Sequence, residues 1–434
     1  MSTAIMFDPQ DRILILAPHP DDEVLGTGGI IQEAMKLNLP LRIVFLTYGD
    51  SNEWSFLLYR RHPVLLPKGA RNMGLVRHDE ALEAAKALGV PPPQLTFLGY
   101  PDFGTLDIWC SHWGDRPPVE SILTHAGAVP YPNAFRPGAP YKGEEILADL
   151  EKTLLEFRPT KIFVSHPGDH NSDHKSLYLF LRVVLWDLEN EINPVVYPYL
   201  VHYRQWPTPR GYRPSDSLLP PHELKSRIQW QDHDLNSTEI ERKRNALRKH
   251  RSQYEANRRY LLSFVRSNEI FGDFPDTTLS LNAGAIAISP EYHDLKTALP
   301  EQLLEENREA FVGIQERFVH IENGRFVLSI RWSRPLGGQV GASVYVFGYR
   351  KDLSFQQMPK LHIKLGELEH RIYDQDRTLP TDAIRVQRRA EEVILDVPLE
   401  LLGNPERILT SAHTYFLGLV PLDGGSWRVL KVVS

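Results

Sequence analysis

Two short stretches concentrate side chains that can grip a cation or move a proton. The first, "HPDDE" at residues 19–23, follows the apolar run "LILA" and sets His19 beside Asp21, Asp22 and Glu23. Like charges this close repel unless a cation or a proton neutralises them. Imidazole with carboxylate suits zinc, which takes nitrogen and oxygen donors and keeps one position open in catalytic sites. His19 and Asp22 can converge across a tight turn. Asp21 then points to the other side of it, free to act on a metal-activated water. Helix capping would account for one of these acids, but not for the histidine and all three.

The second stretch, "SHPGDHNSDHKS" at 165–176, offers His166, His170 and His174 together with Asp169 and Asp173, directly after the strand-like "KIFV". The histidine spacing fits a single helix, but Pro167 and Gly168 oppose a helix through His166. The loop is therefore expected to turn, with the helix beginning near Asp173 and His174 supplying the third ligand. A histidine or an amide here, His166 and His170 included, can donate to a developing oxyanion. Gly26, Gly28 and Gly29 raise a nucleotide site as a competing reading of the first stretch. They fall too late, inside the expected helix, and an anionic turn repels phosphate. They read instead as room for close helix–sheet packing.

Both stretches need a scaffold that brings them together. "RILILA", "LRIVFLTYG", "LTFLGYPD" and "KIFVSHP" are strand-like. The helical patterns "EVLGTGGIIQEAMKLN", "RHDEALEAAKALG" and "GEEILADLEKTLLEFRPT" lie between them. This alternation predicts an α/β, doubly wound (Rossmann-like), mostly parallel sheet. Ligands of such sheets sit at the carboxyl ends of the strands, where both stretches fall. Gly104–Lys142, rich in Pro, Gly and aromatics, reads as a structureless lid or pocket wall. Residues 236–268 read as one long basic helix with a solvated charged face. After "SPEYHDLKTALPEQ" the pattern becomes short alternating runs such as "RFVLSIRW", "ASVYVFGYR" and "EEVILDVPL", separated by turns like "PLGGQ" and "LDGGS". These predict a β-sandwich, and hence two domains, 1–305 and 306–434.

Composition narrows the function class. At 434 residues, 42% hydrophobic and 24% charged, the chain is an ordinary globular protein. A net charge of −6 argues against a nucleic-acid partner. No stretch approaches the roughly 18 apolar residues of a membrane span. The N-terminal residues lack a secretory leader pattern, so a cytoplasmic location is expected. One cysteine, Cys110, excludes an intrachain disulfide or a cysteine-rich zinc module and reads as a structural or incidental thiol.

The motifs "APHPDDEVLGTGG", "RHDEALEAAKALG", "LGYPDFG" and "HPGDHNSDHK", in that order, resemble the LmbE/PIG-L-type zinc-dependent N-acetylglucosaminyl deacetylases. "KRNALRKHRSQ" and "RSNEIF" extend the likeness, which covers roughly residues 10–290. The resemblance implies one zinc ion per chain on His19, Asp22 and His174, with Asp21 as general base. It also implies sugar contacts from Arg77 and Asp102. The family's second motif often reads His-Pro-Asp-His, its first histidine assisting the oxyanion. Here "NSDH" puts Asn171 at that position, and the role stays open between Asn171, His170 and His166. Asp173 is expected to orient a histidine. The implied substrate is an N-acetylated amino-sugar conjugate, and the chain is compatible with a homo-oligomer. The alternatives are a zinc amidohydrolase or esterase on a non-sugar substrate, or a glycan-binding protein with an inactive deacetylase domain. Against the last stands the intact His19, Asp21, Asp22 and His174 set. The C-terminal region resembles carbohydrate-binding sandwich modules; a purely structural or dimerising sandwich is the competing reading.

Overall fold

The computed structural model describes residues 3–51, 67–225, 228–281, 283–288, 311–418 and 420–433. The chain divides into two compact units, Met1–Trp113 with Pro117–Phe274, and Gly114–Arg116 with Pro275–Ser434.

The first unit is an eight-stranded sheet of β1 (Thr3–Ala4), β2 (Ile13–Ala17), β3 (Leu41–Thr47), β4 (Leu95–Tyr100), β5 (Lys161–Ser165), β6 (Val195–Tyr199), β7 (Trp230–Asp234) and β8 (Asn268–Gly272). Their spatial order is β1-β7-β8-β6-β5-β2-β3-β4. The strands from β6 to β4 pair in parallel, and β8 runs antiparallel to both β6 and β7. β2 is buried along its whole length, as a strand covered on both faces must be. The helices are α1 (Asp22–Lys36), α2 (Pro67–Ala87), α3 (Thr105–Ser111), α4 (Gly143–Phe157), α5 (Ser172–Asp187), α6 (His222–Lys225), α7 (Ser237–Leu247) and α8 (Arg251–Leu261). In α4 the apolar side chains Ile146, Leu150 and Leu154 recur every turn and are buried, and Arg158 stops the helix in a left-handed conformation. None of the described helices is long and apolar enough to cross a membrane.

α1 packs unusually close to the sheet. A Cβ on Gly26 would sit 2.3 Å from the ring of Tyr199 on β6, so only glycine fits there. The helix is also kinked at Thr27, whose φ of −139° leaves the helical range. Such a break strips backbone groups of their partners. Glu269 on β8 accepts from the amides of Gly29 (2.7 Å) and Ile30 (3.2 Å), and Lys243 of α7 donates to the carbonyl of Leu25 (2.9 Å). Lys243 and Glu269 meet at 2.6 Å, both fully buried.

Two expectations change here. The basic run 236–268 is not one helix. α7 opens with a capping box of Asn236 and Glu239 and ends at Leu247, α8 begins at Arg251, and the run closes in a 3₁₀ turn and then β8. The break falls at His250, whose buried Nε2 lies 2.8 Å from Glu23 of α1. Nor is the charged face wholly solvated, since Lys243 is buried. Gly104–Lys142 is likewise not structureless. It contains α3, and it buries Trp109, Trp113, Tyr131 and Tyr141.

The second unit is all β. One sheet runs β10 (Ile286–Ala287), β11 (Ile314–Glu322), β12 (Arg325–Trp332), β18 (Glu392–Pro398) and β17 (Arg385–Arg389). The other runs β16 (Arg377–Leu379), β15 (His370–Asp374), β14 (Lys360–Leu365), β13 (Val340–Tyr349), β19 (Arg407–Phe416), β21 (Arg428–Val433) and β9 (Thr277–Ser280), with β20 (Val420–Gly424) on β19. All pairs are antiparallel except β9 with β21. Strict alternation puts Phe326, Leu328 and Ile330 of β12 and Val393, Leu395 and Val397 of β18 into a core shared with Val344, Val346 and Ile363 of the other sheet. β9 and β10 belong to this unit because they pair with β21 and β11. The stretch 289–310, where the sequence reading set its boundary, lies outside the described residues.

Candidate metal centre at the sheet's switch point

β2 has β3 on one side and β5 on the other. The chain fills β3 and β4 outward from β2, then returns to build β5 and β6 on the opposite flank. Loops leaving β2 and β5 therefore diverge and open a crevice at the carboxyl ends of the strands. The loop after β2 and the start of α1 deliver His19, Asp21 and Asp22; the loop after β5 and the first turn of α5 deliver Asp169, Asp173 and His174. Asp102 arrives from β4 and His202 from β6.

The ligand atoms of His19, Asp22 and His174 all lie within 4.8 Å of one another, and all three residues are buried. Asp22 Oδ2 stands between the imidazoles, 3.1 Å from His19 Nδ1 and 3.0 Å from His174 Nε2. Each imidazole turns its other nitrogen to a carboxylate. His19 Nε2 is 3.1 Å from Asp173 Oδ2 and 3.0 Å from Asp102 Oδ1, and His174 Nδ1 is 3.1 Å from Asp169 Oδ2. One nitrogen towards a shared point and the other on a carboxylate is how metal-binding histidines are oriented. Neither nitrogen of His174 has hydrogen-bond geometry to its neighbours despite full burial. Such a group lacks a partner that a cation would supply. A second set, His19 with Asp102 and Asp173, is equally tight but shares His19 with the first.

Electrostatics agrees with the donor chemistry. Burial opposes a charged His19, yet Asp102, Asp173 and Asp22 hold its proton affinity well above the usual histidine range. His174, equally buried, is pushed up to about 9 by Asp169 and Asp22. Burial works against ionised Asp22, and the two imidazoles overcome it, holding its carboxyl well below the usual range. The crevice therefore draws positive charge, and the His19, Asp22 and His174 donors fit a divalent ion of the zinc type.

The turn before α1 is strained. Asp21 has φ 122° and ψ −28°, a conformation rare for a side-chain-bearing residue and costing about 1–3 kcal/mol. Its amide donates to Glu23 Oε2 at 2.8 Å, while Glu23 Oε1 is held 2.8 Å from His250 Nε2. On the other side the Arg77 guanidinium donates to the carbonyls of Pro20 (2.6 Å) and Gly49 (2.9 Å), and reaches Asp21 Oδ1 at 3.2 Å. Asp21 occupies the N-cap position but makes no side-chain capping bond. Burial, opposed by Arg77 and assisted by Asp22, raises its carboxyl to about 7.

The remaining expected residues fall in distinct places. Asp173 lies against His19, and Arg77 is buried beneath Asp21. Asp102, also buried, is turned to His19 and accepts from the amide of Ser51 at 2.9 Å. Asn171 caps α5, its side-chain oxygen accepting from the Asp173 amide at 2.8 Å. His166 stacks on Trp230 with ring centroids 5.9 Å apart and accepts from the Gly168 amide. His170 is exposed beside Tyr203, ring centroids 4.8 Å apart. One neighbour of the centre, His202, went unread in the sequence, and another, Asp169, was named in its cluster without a role. Asp169 holds His174 and also accepts from the amides of Val201 (3.1 Å) and His202 (2.8 Å). His202 meets the ring of His174 edge-on at 4.8 Å, and burial lowers it to about 4. The sequence signal for His202 was faint, a lone histidine at the end of the unread strand β6.

A doubly wound sheet with an imidazole–carboxylate donor set at its switch point defines a class of α/β protein whose crevice could hold a cation. Residues 14–185 match the family described as PIG-L: GlcNAc-PI de-N-acetylase. The 1D-myo-inositol 2-acetamido-2-deoxy-alpha-D-glucopyranoside deacetylase of Mycobacterium sp. (strain KMS) is 30% identical over 125 residues, 29% of this chain and 36% of that protein. The enzyme of the same name from Nocardia farcinica (strain IFM 10152) is 27% identical over 164 residues, 37% of this chain and 47% of the relative. The chain thus spans less than half the length of these curated relatives. Among solved structures it is similar to N,N'-diacetylchitobiose deacetylase from Pyrococcus horikoshii, at 20% identity and a TM-score of 0.33 over 57% of this chain and 74% of the other.

Proposed function

We propose that this protein is a zinc-dependent hydrolase that removes the acetyl group from an N-acetyl amino sugar of the N-acetylglucosamine type. The observation that carries this is the convergence of His19, Asp22 and His174 within 4.8 Å at the switch point, beside the strained turn that presents Asp21. The names of the curated relatives, deacetylases of a 2-acetamido-2-deoxyglucosyl inositol, support the amino-sugar class.

His19 and His174, oriented by Asp173 and Asp169, would hold one zinc ion together with Asp22. When bound, zinc polarises the amide carbonyl and acidifies water. Asp21, fixed by Arg77 and by its own strained backbone, takes the proton of the attacking water as general base and returns it to the departing amine. The tetrahedral oxyanion needs a donor. We assign that donation to His202, whose ring adjoins His174.

The test is acetate release from a panel of N-acetyl sugars and N-acetyl peptides, before and after chelation and zinc repletion. Zinc-restored release from the sugars alone is expected. Release from none of the sugars by zinc-loaded protein would sink the reading.

A further inference from the structure

The turn after β4 leaves an aromatic ring in solvent. Among the described residues the exposed Phe, Tyr or Trp side chains are Tyr212 and Phe103. The guanidinium of Arg244 lies 4.7 Å over the ring of Tyr212. Phe103 is 59% exposed, and its φ of 59° is left-handed, an outlier for a bulky side chain. A lone exposed apolar residue needs no explanation, but one held in a strained conformation beside a buried donor set does.

Its position is fixed from both sides. Asp102, the residue before it, turns its carboxylate to His19 Nε2 at 3.0 Å and accepts from the Ser51 amide at 2.9 Å. The Phe103 amide donates to Asp173 Oδ2 at 2.6 Å, and Thr105 donates to Asp173 Oδ1 through its amide at 3.2 Å and its hydroxyl at 2.5 Å. The turn thus wraps the carboxylate that orients His19. These bonds come from the backbone and from neighbouring side chains, and none of them involves the Phe103 ring. The ring itself lies 6.2 Å from the imidazole of His19, centroid to centroid, tilted by 35°. It stands next to one of the proposed metal ligands with its surface open to whatever enters.

An aromatic face is negative and attracts C–H groups. A pyranose of the gluco type offers such groups on its faces and keeps its hydroxyls around the edge. In an N-acetyl amino sugar two bonds, roughly 2.5 Å, separate the acetyl carbonyl carbon from the sugar ring. An acetamido group held at His19, Asp22 and His174 therefore brings its sugar within reach of the Phe103 ring. We propose that Phe103 is the platform on which that pyranose stacks, so that the closed-ring sugar is selected over open-chain and peptidic acetamides. This rests on the deacetylase reading for where the acetamido group sits, but the binding of the sugar ring is measurable apart from turnover.

Phe103→Gly deletes the ring alone, because it keeps the amide on Asp173 and accepts the left-handed backbone. In zinc-loaded protein it should raise KM for methyl N-acetylglucosaminide about three- to tenfold at unchanged kcat, the signature of lost uniform binding. Phe103→Tyr, which keeps the aromatic face, should return KM to the parental value. N-acetylglucosaminitol, the open-chain alditol with the same acetamido group, should be affected less than about twofold by Phe103→Gly. Independently of turnover, saturation-transfer NMR on zinc-loaded Asp21→Asn protein should show the ring protons of methyl N-acetylglucosaminide in contact with the protein. Adding Phe103→Gly should weaken that transfer relative to the acetyl methyl. Unchanged KM in Phe103→Gly, an equal rise for the alditol, or a fall in kcat with loss of zinc overturns the platform while the deacetylase reading stands. Ring saturation that Phe103→Gly weakens, without acetate release from any sugar by the parent, supports the platform and overturns the deacetylase reading. Ring saturation that is absent, or equal with and without Phe103→Gly, overturns the platform.

Discussion

The two units fill their interiors with different chemistry. The sandwich core is mostly apolar, built from alternating strand positions such as Leu328 and Leu395, and the charged side chains buried in this unit are few, Arg317 and Lys360 among the described residues. The α/β unit buries Asp21, Asp22, Glu23, Arg77, Glu80, Asp102, Asp169, Asp173, Lys243 and Glu269. Burying charge is unfavourable unless partners compensate, and here every group named has at least one. Glu80, for example, accepts from both the amide and the hydroxyl of Ser252, at 2.8 and 2.6 Å. The contrast teaches where function resides. An apolar sandwich needs only the right pattern and volume, whereas a polar interior persists around a site that uses it.

Substitutions can break or sharpen this contrast. The largest effect is expected from His174→Ala. Metal analysis of the purified variant should show zinc falling from about one per chain to near none, with deacetylation lost entirely. Retained stoichiometric zinc would dismiss His174 as a ligand. Next comes Asp21→Asn, which should keep the metal yet lower kcat by at least about a hundredfold; parental turnover would reassign the base.

Stability then separates the units. Lys243→Met should cost about 3–5 kcal/mol in denaturant unfolding, because it strands the Glu269 carboxylate in the interior. Pairing it with Glu269→Leu should not restore stability, since the amides of Gly29 and Ile30 would then lack an acceptor. In the sandwich, Leu395→Ala should cost a comparable 2–5 kcal/mol by cavity formation alone, and no second charge change should alter it. Smallest is Phe103→Gly. This residue is 59% exposed and has φ 59°, so losing its ring while relieving the backbone should shift stability by no more than about 1 kcal/mol. A loss of several kcal/mol would show the ring to be packed as a core residue.

The same contrast explains what could be read from the sequence. Strand alternation in "RFVLSIRW" and "EEVILDVPL" maps directly onto buried and exposed positions, because a sandwich strand meets its core with period two. "HPDDE" and "SHPGDHNSDHKS" were legible as one centre because both follow apolar strands and carry ligand-type side chains. Long-range pairing was not legible. Nothing local to 236–268 shows that Lys243 and His250 are buried on Glu269 and Glu23, and without those partners the run looks like a single solvated helix. β6 and β7 escaped notice because their burial pattern is mixed, with little apolar alternation to mark them. His202 was obscured for the same reason, and Asp169, though named in its cluster, had no readable role, since both matter only where β6 lies beside β5.

The kink in α1 has a consequence for how the protein is made. Its loose amides near the amino terminus are satisfied by Glu269, a residue that leaves the ribosome only after most of the α/β unit has already emerged. Until then the segment bearing Asp21 and Asp22 cannot settle, and the nascent chain must wait with its acidic turn unfinished. Ribosome-bound chains halted before Glu269 should remain open to protease around α1, and chains extended past it should resist.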